Sequence, residues 1–430
     1  MHRFTGLIGI GVLIFIAWLM SNNRRRFPTR IVLTGVGLQF ALALLLLKTP
    51  YVVDLFDLLA RGVSKIIGFA DDGIVFVFGD KLGDPQGPLG FIFAVRALPV
   101  IIFFGSLMSV LYHIGLMQRV VAGLAWILRR TLGVTGSEAL AMAANIFVGQ
   151  TEAPLCVKPY VARMTESQVM ALMVGGFATI AGSVLAVYVG VLGGGNEQAQ
   201  QLFIKHLLTA SVMSAPAAFV IAKLIIPETQ QPEDELAFVK QHPVETTNLI
   251  DAAAAGASDG LRLALNVGAM LIAFVALLAM LNWPLTAFSE WAPVAAWRDA
   301  HGLPIFSLEY ILGLIFSPLA WTMGVAWHDC IAFGSLMGEK IIATEFVAYL
   351  SLAGMAHPAE GAARMSPRSV QIAAYALCGF ANFASIGIQI GGLTGIAPNR
   401  RSDFARLGLR AMIGGALASW MTAAVAGVVL

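Results

Sequence analysis

Long apolar stretches separated by short polar segments dominate the pattern of this chain. A helix that crosses a bilayer needs about 17 to 25 mostly apolar residues, and eight stretches reach this length. They lie at 5–21, 31–48, 90–116, 167–193, 203–226, 259–282, 368–393 and 408–430. Because lipid offers no partners to backbone polar groups, such stretches form helices. The pattern therefore predicts an all-α polytopic membrane protein with eight transmembrane helices.

Two further apolar segments carry charges that do not suit a membrane crossing. Residues 52–69 alternate apolar with charged positions, among them Asp54 and Arg61, and 118–131 contain Trp126 before a pair of arginines. Such charged positions beside an apolar face are typical of helices that lie in the membrane interface. We expect both segments to be interfacial helices.

Two other segments, 135–164 and 327–356, each carry an acidic motif near the middle of an apolar run. Each is long enough for two half-helices joined at a tip, and Pro154 and Pro159 break the first one after Glu152. Non-helical backbone at membrane depth is tolerated where protein buries it or water fills a cavity. Both segments are therefore predicted to be re-entrant hairpins.

Arginine-rich loops orient the chain in the membrane. The loops 22–30 and 394–407 hold four and three arginines, and positively charged loops stay in the cytoplasm. With eight spans, both termini then lie outside, the first hairpin enters from the cytoplasm and the second enters from outside. Opposed hairpins, each followed by a similar apolar helix, indicate inverted repeats of the kind found in secondary transporters. The predicted divisions are 1–88 with the first helices and an interfacial helix, 89–226 with the first repeat, 227–258 as a polar cytoplasmic connector, and 259–430 with the second repeat.

Composition agrees with a membrane location and removes several classes of function. Of the 430 residues, 58% are hydrophobic and 12% are charged, against roughly 25% charged in soluble domains. A net charge of +2 provides no basic surface for nucleic acid. Cys156, Cys330 and Cys378 show no paired spacing that would indicate a disulfide framework or a metal site. The sequence contains no P-loop, so it indicates no ATP-driven pump, and it indicates no cofactor.

The two acidic motifs carry the candidate chemistry. Glu152 follows Gln150 and Thr151, and Glu345 stands in the matching place of the second hairpin. A carboxylate is costly in hydrocarbon and indicates a functional site. The alternative is a structural role in which the carboxylate is neutral or paired, for Glu345 with Lys340. An amide can bind the edge of a heterocyclic ring, and a carboxylate can accept two hydrogen bonds from a sugar diol.

Polar positions in the helix after the second hairpin extend this site. Asn382 and Ser385 are three residues apart and share one helix face. The neighbouring Phe380 can stack on a flat ring. The alternative for these residues is interhelical packing.

A second group of residues surrounds the first hairpin and the helix after it. Asn145, Val148 and Thr179 offer side-chain and backbone oxygens. Such oxygens suit a hard monovalent cation, whereas a transition metal would require softer ligands. These residue types therefore fit a coupling ion.

Three motifs, in this order, resemble those of the concentrative nucleoside transporters. They are Gly149-Gln150-Thr151-Glu152-Ala153-Pro154, then Gly338 and Lys340 leading to Glu345-Phe346-Val347-Ala348-Tyr349, then Gly379-Phe380-Ala381-Asn382-Phe383. The similarity runs from about residue 5 to the C-terminus. It implies a homotrimer in the bacterial inner membrane that imports nucleosides by alternating access together with Na⁺ or H⁺. Na⁺ is favoured because Thr179 keeps the hydroxyl of the family's cation site.

The resemblance also implies which residues bind the substrate and which bind the ion, and it implies no catalytic residue. Gln150, Thr151 and Glu152 would contact the nucleobase, and Glu345, Asn382 and Ser385 would contact the ribose. Phe380 and Val184 would pack against the nucleoside. The cation ligands would be Asn145, Val148, Thr179 and Ile180.

Thr344 departs from the family pattern, in which an asparagine precedes this glutamate. The loss of an amide beside the ribose carboxylate leaves the substrate range open, so a modified nucleoside or a free nucleobase is the alternative substrate. A channel is a further alternative, but two closed hairpin tips at the midplane argue against a continuous pore. Paired glutamates could also serve an intramembrane hydrolase, for which the sequence supplies neither a nucleophile nor a metal set.

Overall fold

The computed structural model describes residues 2–83, 92–96, 98–193, 196–231, 246–357 and 365–430, and the described residues form helices and contain no strand. The helices before the connector are α1 (His2–Leu19), α2 (Thr29–Lys48), α3 (Pro50–Phe78), α4 (Asp80–Gly83), α5 (Phe93–Arg96), α6 (Leu98–His113), α7 (Leu116–Leu132), α8 (Gly136–Asn145), α9 (Lys158–Val161), α10 (Glu166–Ala178), α11 (Gly182–Gly193) and α12 (Glu197–Ile225). Those after it are α13 (Leu249–Glu290), α14 (Ala292–Ala300), α15 (Leu308–Thr322), α16 (Cys330–Ile342), α17 (Glu345–Ala356), α18 (Pro367–Leu377), α19 (Phe383–Ile396) and α20 (Arg401–Val429). Short 3₁₀ turns occupy Ala153–Val157, Trp327–Asp329 and Pro398–Arg400.

Within the described part of the chain, five helical stretches are long and apolar enough to cross a membrane. They are Thr29–Lys48, Ala94–His113, Glu197–Ile225, Leu249–Glu290 and Pro398–Val429. Each overlaps one of the predicted spans, and α1 overlaps the predicted span at 5–21. The all-α polytopic fold is therefore confirmed.

The expectation of continuous helices at 167–193 and 368–393 is wrong, because each of these segments is broken near its middle. The first break lies between α10 and α11, where the Thr179 hydroxyl donates to the Gly175 carbonyl at 2.8 Å and so takes one of the free carbonyls at the helix end. The N–H of Gly182 then donates to the Phe147 carbonyl at 2.8 Å instead of to its own helix.

The second break lies between α18 and α19 and contains Gly379. Its φ of +108° is one that a side chain disfavours. A Cβ at this position would also stand 2.5 Å from the Phe177 carbonyl oxygen, so the two broken helices cross at their breaks. The apolar composition continues through both breaks, which is why hydropathy alone does not reveal them.

Both predicted hairpins are present as helix pairs, and they face each other. The first consists of α8, a non-helical tip and the return through Ala153–Val157 and α9, and the second consists of α16 and α17 with only Ala343 and Thr344 between them. The polar segments at the base of the first hairpin meet the arginine-rich loops, since Arg400 donates to the Met164 carbonyl at 2.5 Å.

The base of the second hairpin lies at the opposite end of the molecule. His357, at its end, contacts the Leu192 carbonyl at 3.1 Å, and Asp329, at its start, accepts a 2.6 Å hydrogen bond from Ser366. At the arginine-rich end, Arg406 pairs with Glu166 at 2.8 Å. The two hairpins therefore enter the bundle from opposite ends, as inverted repeats require.

Several element lengths differ from the predictions. The predicted span 259–282 is part of the 42-residue α13, and the segment predicted at 52–69 is part of the 29-residue α3. Helix α15, with 15 residues and an internal Pro318, was not predicted because it is too short for a span. The helix predicted at 118–131 is present as α7. The predicted boundary at 88 and residues 232–245 of the connector lie outside the described residues.

Candidate functional site

A cavity of about 770 Å³ lies where the hairpin tips and broken helices face α6 and α13. Most of the predicted site residues line it, namely Val148, Gln150, Thr151, Glu152, Val184, Glu345, Phe380, Asn382 and Ser385. The remaining three, Asn145, Thr179 and Ile180, are buried. The structure thus brings the two acidic motifs, which are 193 positions apart in the sequence, to one cavity.

Glu345 is buried, and protein donors hold both of its carboxylate oxygens. The Tyr188 hydroxyl donates to Oε1 at 2.9 Å, and the Asn382 amide donates to Oε2 at 2.7 Å. A carboxylate oxygen can accept more than one hydrogen bond. Glu345 is therefore fixed in orientation and still has acceptor capacity for hydroxyl groups of a ligand.

Two helices begin beside this carboxylate. Thr344 caps α17 by accepting from the Val347 N–H at 3.4 Å, and Asn382 caps α19 by accepting from the Ser385 N–H at 2.8 Å. Helix N-termini favour negative charge, so both ends stabilise a carboxylate or an electron-rich ligand here. Thr344 keeps the capping function that an asparagine would have at this position.

Lys340 binds backbone carbonyls, and does not form the ion pair with Glu345 that a purely structural role of Glu345 would require. Its fully buried ammonium donates to the carbonyls of Ala376 and Cys378 at 3.0 Å each. These carbonyls belong to the end of α18 and its break, which have lost their helical partners. Lys340 therefore stabilises the break that places Asn382 at the cavity.

The tip of the first hairpin supplies the opposite wall of the cavity. Gln150 is buried, and its Oε1 has no hydrogen-bond partner among the described residues. Thr151 is half-buried, and Glu152 is exposed on the cavity surface. An amide, a hydroxyl and a carboxylate together can bind the polar edge of a heterocyclic ring.

The predicted cation residues converge next to the first break. A Cβ on Gly175 would stand 3.2 Å from the Asn145 amide nitrogen, and the carbonyl of the same glycine accepts from Thr179. Both polar atoms of the buried Asn145 side chain have no partner within the described chain. Because the Thr179 hydroxyl already donates its hydrogen, its oxygen lone pairs remain for a cation. Val148 and Ile180 lie in the adjoining non-helical backbone.

Several polar residues of the site were not predicted from the sequence. Tyr188 lies in an otherwise apolar stretch, and a tyrosine buried in a membrane helix usually needs a hydrogen-bond partner. The cavity wall opposite the hairpins also carries Asp259, Arg262 and Asn266 of α13. Their spacing of three and four residues within an apolar helix is the signal that could have identified them.

Opposed hairpins, crossed broken helices and a cavity between them that both acidic motifs line define a multi-pass membrane transporter with inverted repeats. Comparisons with known families identify the kind of transporter. The model "Na+ dependent nucleoside transporter C-terminus" matches residues 206–427, "Na+ dependent nucleoside transporter N-terminus" matches 8–81, and "Nucleoside recognition" matches 94–195. The chain belongs to the Na⁺-dependent, or concentrative, nucleoside transporter family, and it is not an enzyme.

Relatives from bacteria and animals align along nearly the whole chain. An uncharacterized transporter of Haemophilus influenzae is 44% identical over 99% of this chain and 98% of its own length. Solute carrier family 28 member 3 of Homo sapiens is 42% identical over 99% of this chain, which spans 59% of the human protein.

Solved structures of a protein named CNTnw share the fold. The inward-facing, substrate-bound state is 42% identical and superposes with a TM-score of 0.88, covering 100% of this chain and 98% of that one. A variant in an outward-facing state is 41% identical and gives 0.90, with the same coverage of both chains.

Proposed function

We propose that the protein imports nucleosides by symport with Na⁺ through alternating access. The observation that carries the proposal is the buried Glu345 carboxylate, fixed by Tyr188 and Asn382 at a cavity whose other wall is Gln150, Thr151 and Glu152. A nucleoside has a diol at one end and a heterocyclic edge at the other. The two walls offer the matching groups at the two ends of one cavity.

At the ribose end, Glu345 accepts hydrogen bonds from the sugar hydroxyls, while Asn382 and Ser385 complete the polar wall. At the base end, Gln150 and Thr151 bind the ring edge, and Glu152 contributes there, partly through water. Phe380 and Val184 pack against the nucleoside. Thr344 lines the same cavity and holds the start of α17 through its cap.

The cation site is supported by a comparison of the two repeats. In the second repeat the break is faced by Lys340, whose ammonium binds two carbonyls. In the first repeat the corresponding hairpin arm ends in Asn145, a neutral amide with both polar atoms unpaired. A mobile Na⁺ bound by Asn145, Thr179 and the backbone at Val148 and Ile180 would take the place that the ammonium has in the second repeat.

Coupling follows from the position of this site. The Na⁺ ligands lie on the first hairpin and the first break, and Gln150 lies on the same hairpin. Cation binding that orders the tip would raise nucleoside affinity, and the nucleoside must then raise Na⁺ affinity by the same factor. Similarity to both inward-facing and outward-facing structures of CNTnw supports alternating access.

The setting in the membrane is also part of the proposal. The protein would be a homotrimer in the bacterial inner membrane, with the arginine-rich end in the cytoplasm and both termini in the periplasm. The four divisions at 1–88, 89–226, 227–258 and 259–430 remain as proposed from the sequence. The hairpins would then be re-entrant from opposite sides of the bilayer.

Replacement of Glu345 tests the substrate assignment. Glu345→Gln keeps the size and one oxygen but removes the negative charge and half of the acceptor capacity, so uridine uptake into proteoliposomes should fall below about 1% of wild type. The purified variant should elute as the same oligomer as wild type. Wild-type rates of uptake by this variant would refute the ribose assignment.

A further inference from the structure

Two consecutive glycines of α10, Gly175 and Gly176, make room for three amide side chains. The amide of Asn145 adjoins Gly175. A Cβ on Gly176 would stand 2.5 Å from Nε2 of Gln389 and 2.9 Å from Cβ of Gln150. The glycine pair therefore brings together two residues of the first hairpin and one residue of α19.

Gln389 belongs neither to the predicted substrate contacts nor to the predicted cation ligands. It follows Asn382 and Ser385 at spacings of three and four residues, so all three share one face of α19. The side chain is 1% exposed and does not line the cavity. Gln389 therefore lies directly behind the residues that line the cavity.

Only one end of the Gln389 side-chain amide is hydrogen-bonded. Its Nε2 donates to the Met173 carbonyl at 3.0 Å, which fixes the amide, while its Oε1 is buried and has no partner within the described chain. The Oε1 of Gln150 is also buried and unpaired. A buried amide oxygen without a donor is costly, so two such oxygens around one glycine require explanation.

An end-for-end turn of the Gln150 amide would resolve this cost. The turn would place the NH₂ group of Gln150 at the buried end of its amide, where it could donate to Oε1 of Gln389, the other unpaired oxygen beside Gly176. The Gln150 oxygen would then face the cavity and accept from an N–H group of the ligand. The oxygen and nitrogen ends of an amide have nearly the same shape, so the hydrogen-bond network decides which way such a side chain points.

We propose that Gln389 is a positioning residue that determines nucleobase specificity. It holds the Gln150 amide with its oxygen toward the ligand, so that the protein selects ring edges that present an N–H donor. The inference rests on the proposed function, because it assigns a determinant of base recognition at that same site.

The test compares a base probe with a sugar probe. Uridine has a donor at N3 that 3-methyluridine lacks, and 2′-deoxyuridine lacks a ribose hydroxyl but keeps the base. Wild type should prefer uridine to both analogues in proteoliposome uptake. Gln389→Met, which fills the same space without an amide, should reduce the preference over 3-methyluridine about tenfold, as expected for the loss of one oriented hydrogen bond. The preference over 2′-deoxyuridine should change by less than about twofold.

Gln389→Glu separates the effect of orienting the Gln150 amide from the effect of packing. The variant keeps an acceptor for Gln150, so it should retain more of the preference over 3-methyluridine than Gln389→Met. Equal preferences in wild type and Gln389→Met, or a parallel change against both analogues, would overturn the proposal. Absence of uridine uptake by wild type would instead refute the proposed function, and the inference with it.

The neighbouring glycines provide a matched pair of variants in case Gln389→Met does not fold. Gly176→Ala would place a methyl group against Gln389 and Gln150, and it should lower discrimination against 3-methyluridine. Gly175→Ala would crowd Met142 and Asn145 instead, and it should raise the Na⁺ concentration needed for half-maximal uptake while base discrimination is kept. The reverse pattern would contradict the placement of Gln389 behind the base site.

Discussion

At the scale of single residues, the site combines two differently held carboxylates. Glu345 is buried and has a donor on each oxygen, whereas Glu152 is open to the cavity. The sequence presents the two as copies, because each stands in an acidic motif within an apolar run. Their surroundings differ, and this asymmetry suits a ligand that has a diol at one end and a heterocycle at the other.

Tyr188 tests how far ribose binding depends on the orientation of Glu345. Tyr188→Phe removes one of the two hydrogen-bond donors to the Glu345 carboxylate, and a hydrogen bond to a carboxylate contributes about 1.5–3 kcal/mol. We expect the KM for uridine to rise roughly tenfold or more. The matched control is Tyr349→Phe, since Tyr349 stacks on Tyr188 with ring centroids 4.3 Å apart but donates to the Ala374 carbonyl. Equal effects of the two substitutions would contradict a specific role of the Tyr188 hydroxyl.

At the scale of elements, the breaks in two helices create the site. Each break ends one half-helix and begins another at the cavity, and the free backbone groups are used locally. Thr179 binds the Gly175 carbonyl, and Lys340 binds the carbonyls of Ala376 and Cys378. The polar groups at both breaks are thus held by side chains from neighbouring positions or from a hairpin.

Lys340 is expected to be essential for the second break. Lys340→Met leaves two buried carbonyls without a donor, at a cost of about 1–3 kcal/mol each, so α19 should lose its position and uridine affinity should fall more than about tenfold. Lys223→Met is the matched control, because Lys223 is also buried but pairs with Glu138 near the arginine-rich end. It should lower the melting temperature and leave the KM for uridine within about twofold of wild type. An unchanged KM in Lys340→Met would refute the role given to this residue.

The sequence predicted the hairpins, and nine of the twelve predicted site residues line the cavity, but it did not predict the breaks. Proline after Glu152 and the acidic motifs are visible signals, and so are the arginines of the loops. The breaks at Thr179 and Gly379 lie within long runs that are apolar on average, where single small or polar residues do not distinguish a break from a helix. Tyr188, Lys340 and Gln389 acquire their partners only through tertiary packing, so residue spacing alone could not assign them.

At the scale of the whole molecule, the two ends of the bundle differ in charge and in which hairpin begins there. Arg26 donates to the Glu228 carbonyl at 3.0 Å, so the first arginine-rich loop meets the end of α12. The second loop meets the base of the first hairpin through Arg400. Both loops therefore lie at one end, as a cytoplasmic location of both requires.

Cysteine labelling tests this orientation. Arg25→Cys and Arg401→Cys place exposed thiols at the arginine-rich end, and Ala300→Cys places one after α13 at the opposite end. In intact cells a membrane-impermeant maleimide should label only position 300, with wild type as the control for Cys156 in the cavity. Labelling of positions 25 and 401 from outside would reverse the topology.

We propose that a Na⁺ gradient drives nucleoside import through this site. The most direct measurement is uridine uptake into proteoliposomes under an inward Na⁺ gradient, with choline replacing Na⁺ at constant pH in one arm and an inward proton gradient without Na⁺ in another. We expect accumulation above the external concentration only with Na⁺, and a higher Na⁺ requirement in Asn145→Ala. Accumulation that follows the proton gradient in the absence of Na⁺ would contradict it.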